Sequence, residues 1–122
     1  MRITRLHLLH MLTGALIAVL LGIHMVRLHL DAILEFFGVD STDPTSWGSM
    51  IDRASQGIWA ALYIALLAVA LYHALYGLRG IILELTPSAK AARIITWSFI
   101  IIGIIAFGWG TYVPIHLLSK AV

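Results

Sequence analysis

The chain of 122 residues contains no cysteine. That excludes disulfides, thiolate metal sites and an iron–sulfur cluster held by this chain. Charge is scarce as well. Asp, Glu, Lys and Arg make up 11% of the residues, against about 25% in soluble domains. A soluble helical bundle of this size needs polar outer faces, and too few charges are present to build them. The net charge of +2 gives no pointer to nucleic acid, and no nucleic-acid partner is expected. Proline occurs three times, at Pro44, Pro87 and Pro114. No repeat or low-complexity segment is evident.

What is present is apolar length. Three runs are free of charge: Leu6–Val26 with 21 residues, Ala54–Leu78 with 25 and Ile94–Ser119 with 26. A membrane-spanning helix needs about 20 such residues, so the expected fold is all-α and integral to a membrane, with three transmembrane helices. The basic head and apolar run of MRITRLHLL resemble a signal peptide. No small-residue cleavage site closes a short apolar core, so this segment is read as a retained first span.

The chain is expected to form a single membrane-anchor domain over residues 1–122. Helix I is placed at about 3–37, helix II at about 49–85 and helix III at about 89–118. The stretch GVDSTDPTSWG over 38–48 has turn chemistry and is the clear loop. Pro87 should stop helix II, and Pro114 should kink the last turns of helix III.

Charges segregate by loop. Arg2 and Arg5 lie at the N-terminus, and Arg79, Lys90 and Arg93 flank the second loop against Glu84. The first loop carries Asp31, Glu35, Asp40, Asp43 and Asp52 against Arg27 and Arg53. Lys and Arg favour the cytoplasmic side. The N-terminus and second loop are therefore expected inside, in the cytoplasmic (inner) membrane of the cell.

The six histidines carry the chemistry. An ionisable group within the hydrocarbon is by default a functional candidate. The alternative is an imidazole bonding a carbonyl of a neighbouring helix or resting at the headgroups. His73 lies within the apolar run, and a neutral imidazole is a common haem-iron ligand. Gly77 follows one turn later on the same face and leaves clearance beside it. His24, with Gly22 nearby, is a second ligand candidate. It belongs to the outer half of its helix, so it should differ from His73 in depth by roughly 10–15 Å in a core about 30 Å thick. One iron cannot readily take both. Either two haems exist, each completed by another chain, or one of the two is not a ligand, or His10 pairs with His73. His7, His29 and His116 are read as interfacial. Trp47, Trp59, Trp97 and Trp109 read as interface belt or packing, and Gly103, Gly108 and Gly110 as sites of close helix contact.

HALYGLRGIILEL at 73–85 resembles the second-helix motif of the cytochrome b membrane anchors of succinate dehydrogenase and fumarate reductase (complex II). RLHLLHMLTG at 5–14 is similar to the entry of their first helix, and IHMVRLHL at 23–30 to the stretch whose histidine binds the outer haem of the diheme anchors. Met11 stands where many ubiquinone-linked anchors carry arginine. The resemblance spans about residues 5–85.

This resemblance implies a haem b-binding anchor subunit of succinate:quinone oxidoreductase, one of two small anchors of a diheme type. Such a subunit has no succinate chemistry of its own. It anchors the flavoprotein and iron–sulfur subunits and passes electrons to or from membrane quinone, menaquinone or ubiquinone. One or two haems b would be shared with the second anchor, with His73 and His24 as axial ligands to iron and Gly77 and Arg79 beside the cofactor. Arg79 could contact a haem propionate or simply snorkel to the headgroups. His10, His7, Thr13 and Glu84 are the quinone-site candidates. The alternatives are the cytochrome b anchor of another quinone-linked oxidoreductase or a non-redox membrane scaffold.

Overall fold

A computed structural model describes residues 4–85 and 88–121. Five helices follow in order: α1 (Arg5–Leu28), α2 (Leu30–Phe36), α3 (Trp47–Ser55), α4 (Gly57–Glu84) and α5 (Ala89–Ala121). No strand occurs among the described residues. The three membrane spans are Arg5–Leu28, Gly57–Glu84 and Ala89–Ser119, of 24, 28 and 31 residues. At about 1.5 Å per residue each exceeds the roughly 30 Å hydrocarbon core. The chain is thus an all-α, multi-pass membrane protein. The expected start at Ile3, the charge of Arg2 and the stop at Pro87 lie outside the described residues.

Two helices expected to be continuous are broken. The first breaks at His29, whose backbone (φ −107°, ψ 14°) ends α1 and opens α2. The break follows directly on the end of the apolar run. After α2 the chain stops in a Schellman turn: Gly38 (φ +76°) donates to the Glu35 carbonyl at 2.9 Å and Val39 to that of Leu34 at 3.0 Å. Only glycine takes that φ without strain. The second break is at Gln56, which is extended (φ −93°, ψ 113°). Its carbonyl accepts from the amides of Trp59 and Ala60 and starts α4. The preceding segment becomes a separate helix, α3, capped by the Ser46 hydroxyl and packed against both α4 and α5.

The spans stand in a row. α4 packs against α1 on one side and α5 on the other, and α1 and α5 make no contact among the described residues. Glycines set the α4–α5 approach. A Cβ on Gly110 would meet Leu67 at 2.5 Å, and one on Gly103 would meet Leu75 at 3.0 Å. Without side chains there, two backbones come close enough for dispersion contacts to hold them in an apolar solvent. Pro114 stands inside α5 and does not end it. The Thr111 hydroxyl donates to the carbonyls of Phe107 and Gly108 one turn earlier.

A row of three helices buries little. The accessible surface is 8979 Å², where a compact monomer of 13.4 kDa exposes about 6,500 Å². Among the described residues Ala60 is the buried hydrophobic one, and Thr13 and Arg53 are buried polar ones. The broad apolar flanks suit lipid and partner helices, and they leave the interhelical sites open on a face.

Candidate functional site

The α1–α4 contact is built around two histidines. His10 and His73 stack with ring centroids 4.1 Å apart and planes inclined by 11°. Each is followed four residues later by glycine, His10 by Gly14 and His73 by Gly77. The pairs interlock. A Cβ on Gly14 would lie 3.0 Å from Cε1 of His73, and one on Gly77 would lie 3.1 Å from Cε1 of His10. Each imidazole therefore rests against the glycine of the opposite helix. Either glycine could be replaced only by moving a ring.

One ring is anchored. His73 Nδ1 lies 3.1 Å from the His10 carbonyl and 3.4 Å from the Thr13 hydroxyl. Thr13 is 5% exposed, and its hydroxyl donates to the same carbonyl at 2.9 Å. A carbonyl can only accept, so Nδ1 of His73 carries the proton. Nε2 then keeps its lone pair. A ring fixed in this tautomer by a backbone acceptor is the usual arrangement of a metal-ligating imidazole. His10 differs, because its Nδ1 is buried without a partner. Tyr76 lies tilted beside it at 5.2 Å, and the Tyr72 hydroxyl donates to the Leu6 carbonyl at 3.0 Å.

The intrachain His10–His73 pairing left open by the sequence meets a geometric obstacle. His10 and His73 face each other in contact, so no macrocycle fits between their rings. His24 lies elsewhere, edge-on to Tyr63 at 5.6 Å. It is 14 residues from His10 along α1, and Tyr63 is 10 from His73 along α4. At about 1.5 Å per residue, His24 is roughly 15–21 Å from the stacked pair in depth.

The remaining candidates scatter. Thr13 joins the pair, but its hydroxyl is committed. His7 is exposed and tilted against His10 at 6.5 Å. Glu84 is exposed at the end of α4. Arg79 faces the other groove, where its Nε donates to the Thr96 hydroxyl at 3.0 Å, and Thr96 donates onward to the Ala92 carbonyl. It lies at one end of an apolar cavity of ≈ 630 Å³ between α4 and α5, walled in part by Tyr72, Tyr76 and Phe107. A second cavity of ≈ 600 Å³ lies toward the other end of the spans and includes His24 and Arg53. Both volumes fall within the ordinary range for small-molecule sites. Thr96, Gly14 and Arg53 were not singled out as site residues from sequence. For Gly14 a signal existed, because H-x-x-x-G occurs on both helices.

Among the described residues no three His, Asp or Glu side chains converge to hold a metal ion. An iron carried in a macrocycle needs only axial ligands from protein.

Known proteins place the chain. Its residues 3–109 match the family described as succinate dehydrogenase/fumarate reductase transmembrane subunit. It is 27% identical over 111 residues to the succinate dehydrogenase hydrophobic membrane anchor subunit of Thermoplasma acidophilum, covering 90% of this chain and 83% of that one. It is 26% identical over 105 residues to the subunit of the same description from Archaeoglobus fulgidus, covering 86% and 82%. No solved structure matches. With three spans and a match over most of its length, the chain belongs to the succinate dehydrogenase/fumarate reductase transmembrane-subunit family.

Proposed function

We propose that this membrane anchor binds haem b through Nε2 of His73 and serves electron transfer between the iron–sulfur subunit and membrane quinone. The observation that carries the reading is the anchored tautomer: Nδ1 of His73 donates to the His10 carbonyl and leaves Nε2 for iron. A second ligand would come from a partner chain, the other small anchor. His10 stacks on the wrong face to supply it and His24 lies too far away. The open side of the helix row gives that partner access. Haem b, when bound, supplies one-electron storage and transfer at a potential set by its ligands and surroundings. His10 and Gly14 hold the ring of His73, Thr13 fixes the carbonyl it bonds, and Gly77 leaves room for His10.

His24 is the proposed ligand of a second haem at the opposite depth, also completed by the partner. Quinone needs hydrogen-bond donors at its carbonyl oxygens. Thr13 is committed, which favours Arg79, held by Thr96 at the α4–α5 cavity, over the helix I candidates. Arg79 also belongs to the basic set with Lys90 and Arg93. The preference of Lys and Arg for the cytoplasmic side supports that face, with the basic N-terminus, as the docking side for the iron–sulfur and flavoprotein subunits.

The test is a reduced-minus-oxidised spectrum of the purified complex. His73→Ala should remove the b-type band of the inner haem, and His24→Ala should leave that band and remove the other. A His73→Ala complex with an unchanged spectrum overturns the assignment.

A further inference from the structure

The cavity beside His24 has a charged end that the haem ligands do not explain. Arg53 is 4% exposed. Its Nη2 donates to the Pro44 carbonyl, which ties α3 to the loop. Its Nη1 is buried with no partner, and so is Nδ1 of His24 in the same wall. Guanidinium is donor-only and always charged. A buried cation without an acceptor is costly, and one bond to a neutral carbonyl satisfies one of its five N–H groups. The rest of the cavity is apolar, with Leu66, Leu67, Ala70 and Leu117 among its walls. From Ala60 to Ala70 it runs for about 15 Å along α4. Arg53 sits four residues before the span begins at Gly57, at the level where water meets hydrocarbon.

We infer that Arg53 Nη1 binds the oxyanion head of an amphiphile whose apolar body lies in the ≈ 600 Å³ cavity walled by α1, α3, α4 and α5. The chemistry required is a carboxylate or phosphate on an apolar body. A lipid phosphate meets it, and so does a propionate of a haem held at His24. The inference does not depend on His73. It also survives loss of the second haem, since a lipid alone would satisfy Arg53.

The experiment uses the intact complex purified from wild type, Arg53→Gln, Arg53→Lys and Leu66→Trp. Gln is polar but has no charge, Lys keeps the charge, and Trp fills the cavity while leaving Arg53 in place. Retained phospholipid is counted by native mass spectrometry, with phosphatidylglycerol added as the probe, and haem is measured from its pyridine haemochrome. Arg53→Gln should weaken retention of one molecule about tenfold, the order of one charge-assisted hydrogen bond. Arg53→Lys should restore part of it, and Leu66→Trp should abolish it. Loss of lipid with full haem assigns the head to a phosphate. Loss of haem with lipid unchanged assigns it to a propionate. If Arg53→Gln does not assemble, Leu66→Trp decides alone. Wild-type retention of both molecules in Leu66→Trp overturns the inference.

Discussion

At one end of the α1–α4 contact, His10 and His73 stack at 4.1 Å, each over a glycine of the other helix. Some 15–21 Å away along the same two helices, His24 meets Tyr63 edge-on at 5.6 Å. The residues four places on are Gly14 and Gly77 at the first end, and Leu28 and Leu67 at the second. At the glycine end an imidazole reaches the backbone of its neighbour and is fixed in one tautomer. At the leucine end it does not, and Nδ1 is left unpartnered. Glycine brings both rings of the pair against the opposite helix, and the His10 carbonyl then fixes His73, while His10 over Gly77 keeps a buried Nδ1 without a partner.

The comparison breaks most directly at the glycines. Gly14→Val or Gly77→Val puts bulk where Cε1 of an imidazole already lies. Overpacking of this kind costs about 1–3 kcal/mol, and it also pulls His73 off the His10 carbonyl. Either variant should lose most of the inner haem and lower the thermal midpoint of the complex. Gly22→Val, with no atom within 4 Å of the added carbon, should do neither. Full haem content in Gly14→Val would show that the interlock is not what prepares His73.

A smaller effect separates the two histidines themselves. In complex made haem-free, His24→Leu removes a buried nitrogen that has no partner. Stability should hold or rise by up to about 1 kcal/mol. His73→Leu removes a bonded ring and should destabilise by about 1 kcal/mol. Denaturant midpoints of the two haem-free variants would measure the difference. Equal losses would mean that the two ends are held alike.

Much of this was legible in the sequence, and the parts that were not share a cause. Charge-free runs marked the three spans because hydrocarbon excludes charge all along a helix. His73 and Gly77 were legible because they share one face of one helix. The partnership of His73 with Gly14 was not, because it depends on the register of two helices whose residues lie about sixty positions apart. The breaks at His29 and Gln56 were missed for a related reason. Neither residue is a strong breaker, and α3 is set across α4 and α5 by packing. Arg53, taken as one more charge near a loop, proved to be buried, which only the return of α3 over the spans could make it.

That return depends on the loop, and the loop gives the comparison its weakest and last test. The Asp43 carboxylate accepts from both the amide and the hydroxyl of Thr45 at 2.7 Å. These bonds hold its carboxyl below the ordinary carboxylate range. A depressed folded-state pKa adds stability that is fully present above the unfolded value of about 3.9 and is lost as pH falls through the folded value. The turn leads to Pro44, whose carbonyl takes Arg53, and to Ser46, which caps α3. Acidification to about pH 3 should therefore loosen α3. Hydrogen exchange from pH 7 down to about 3 should show α3 amides losing protection only in the last unit. Asp43→Asn should flatten that dependence by giving α3, already at pH 7, the small loosening that wild type shows only near about pH 3, small because the group is exposed. Full protection of the α3 amides down to about pH 3 in wild type would mean that the loop does not hold α3 in place.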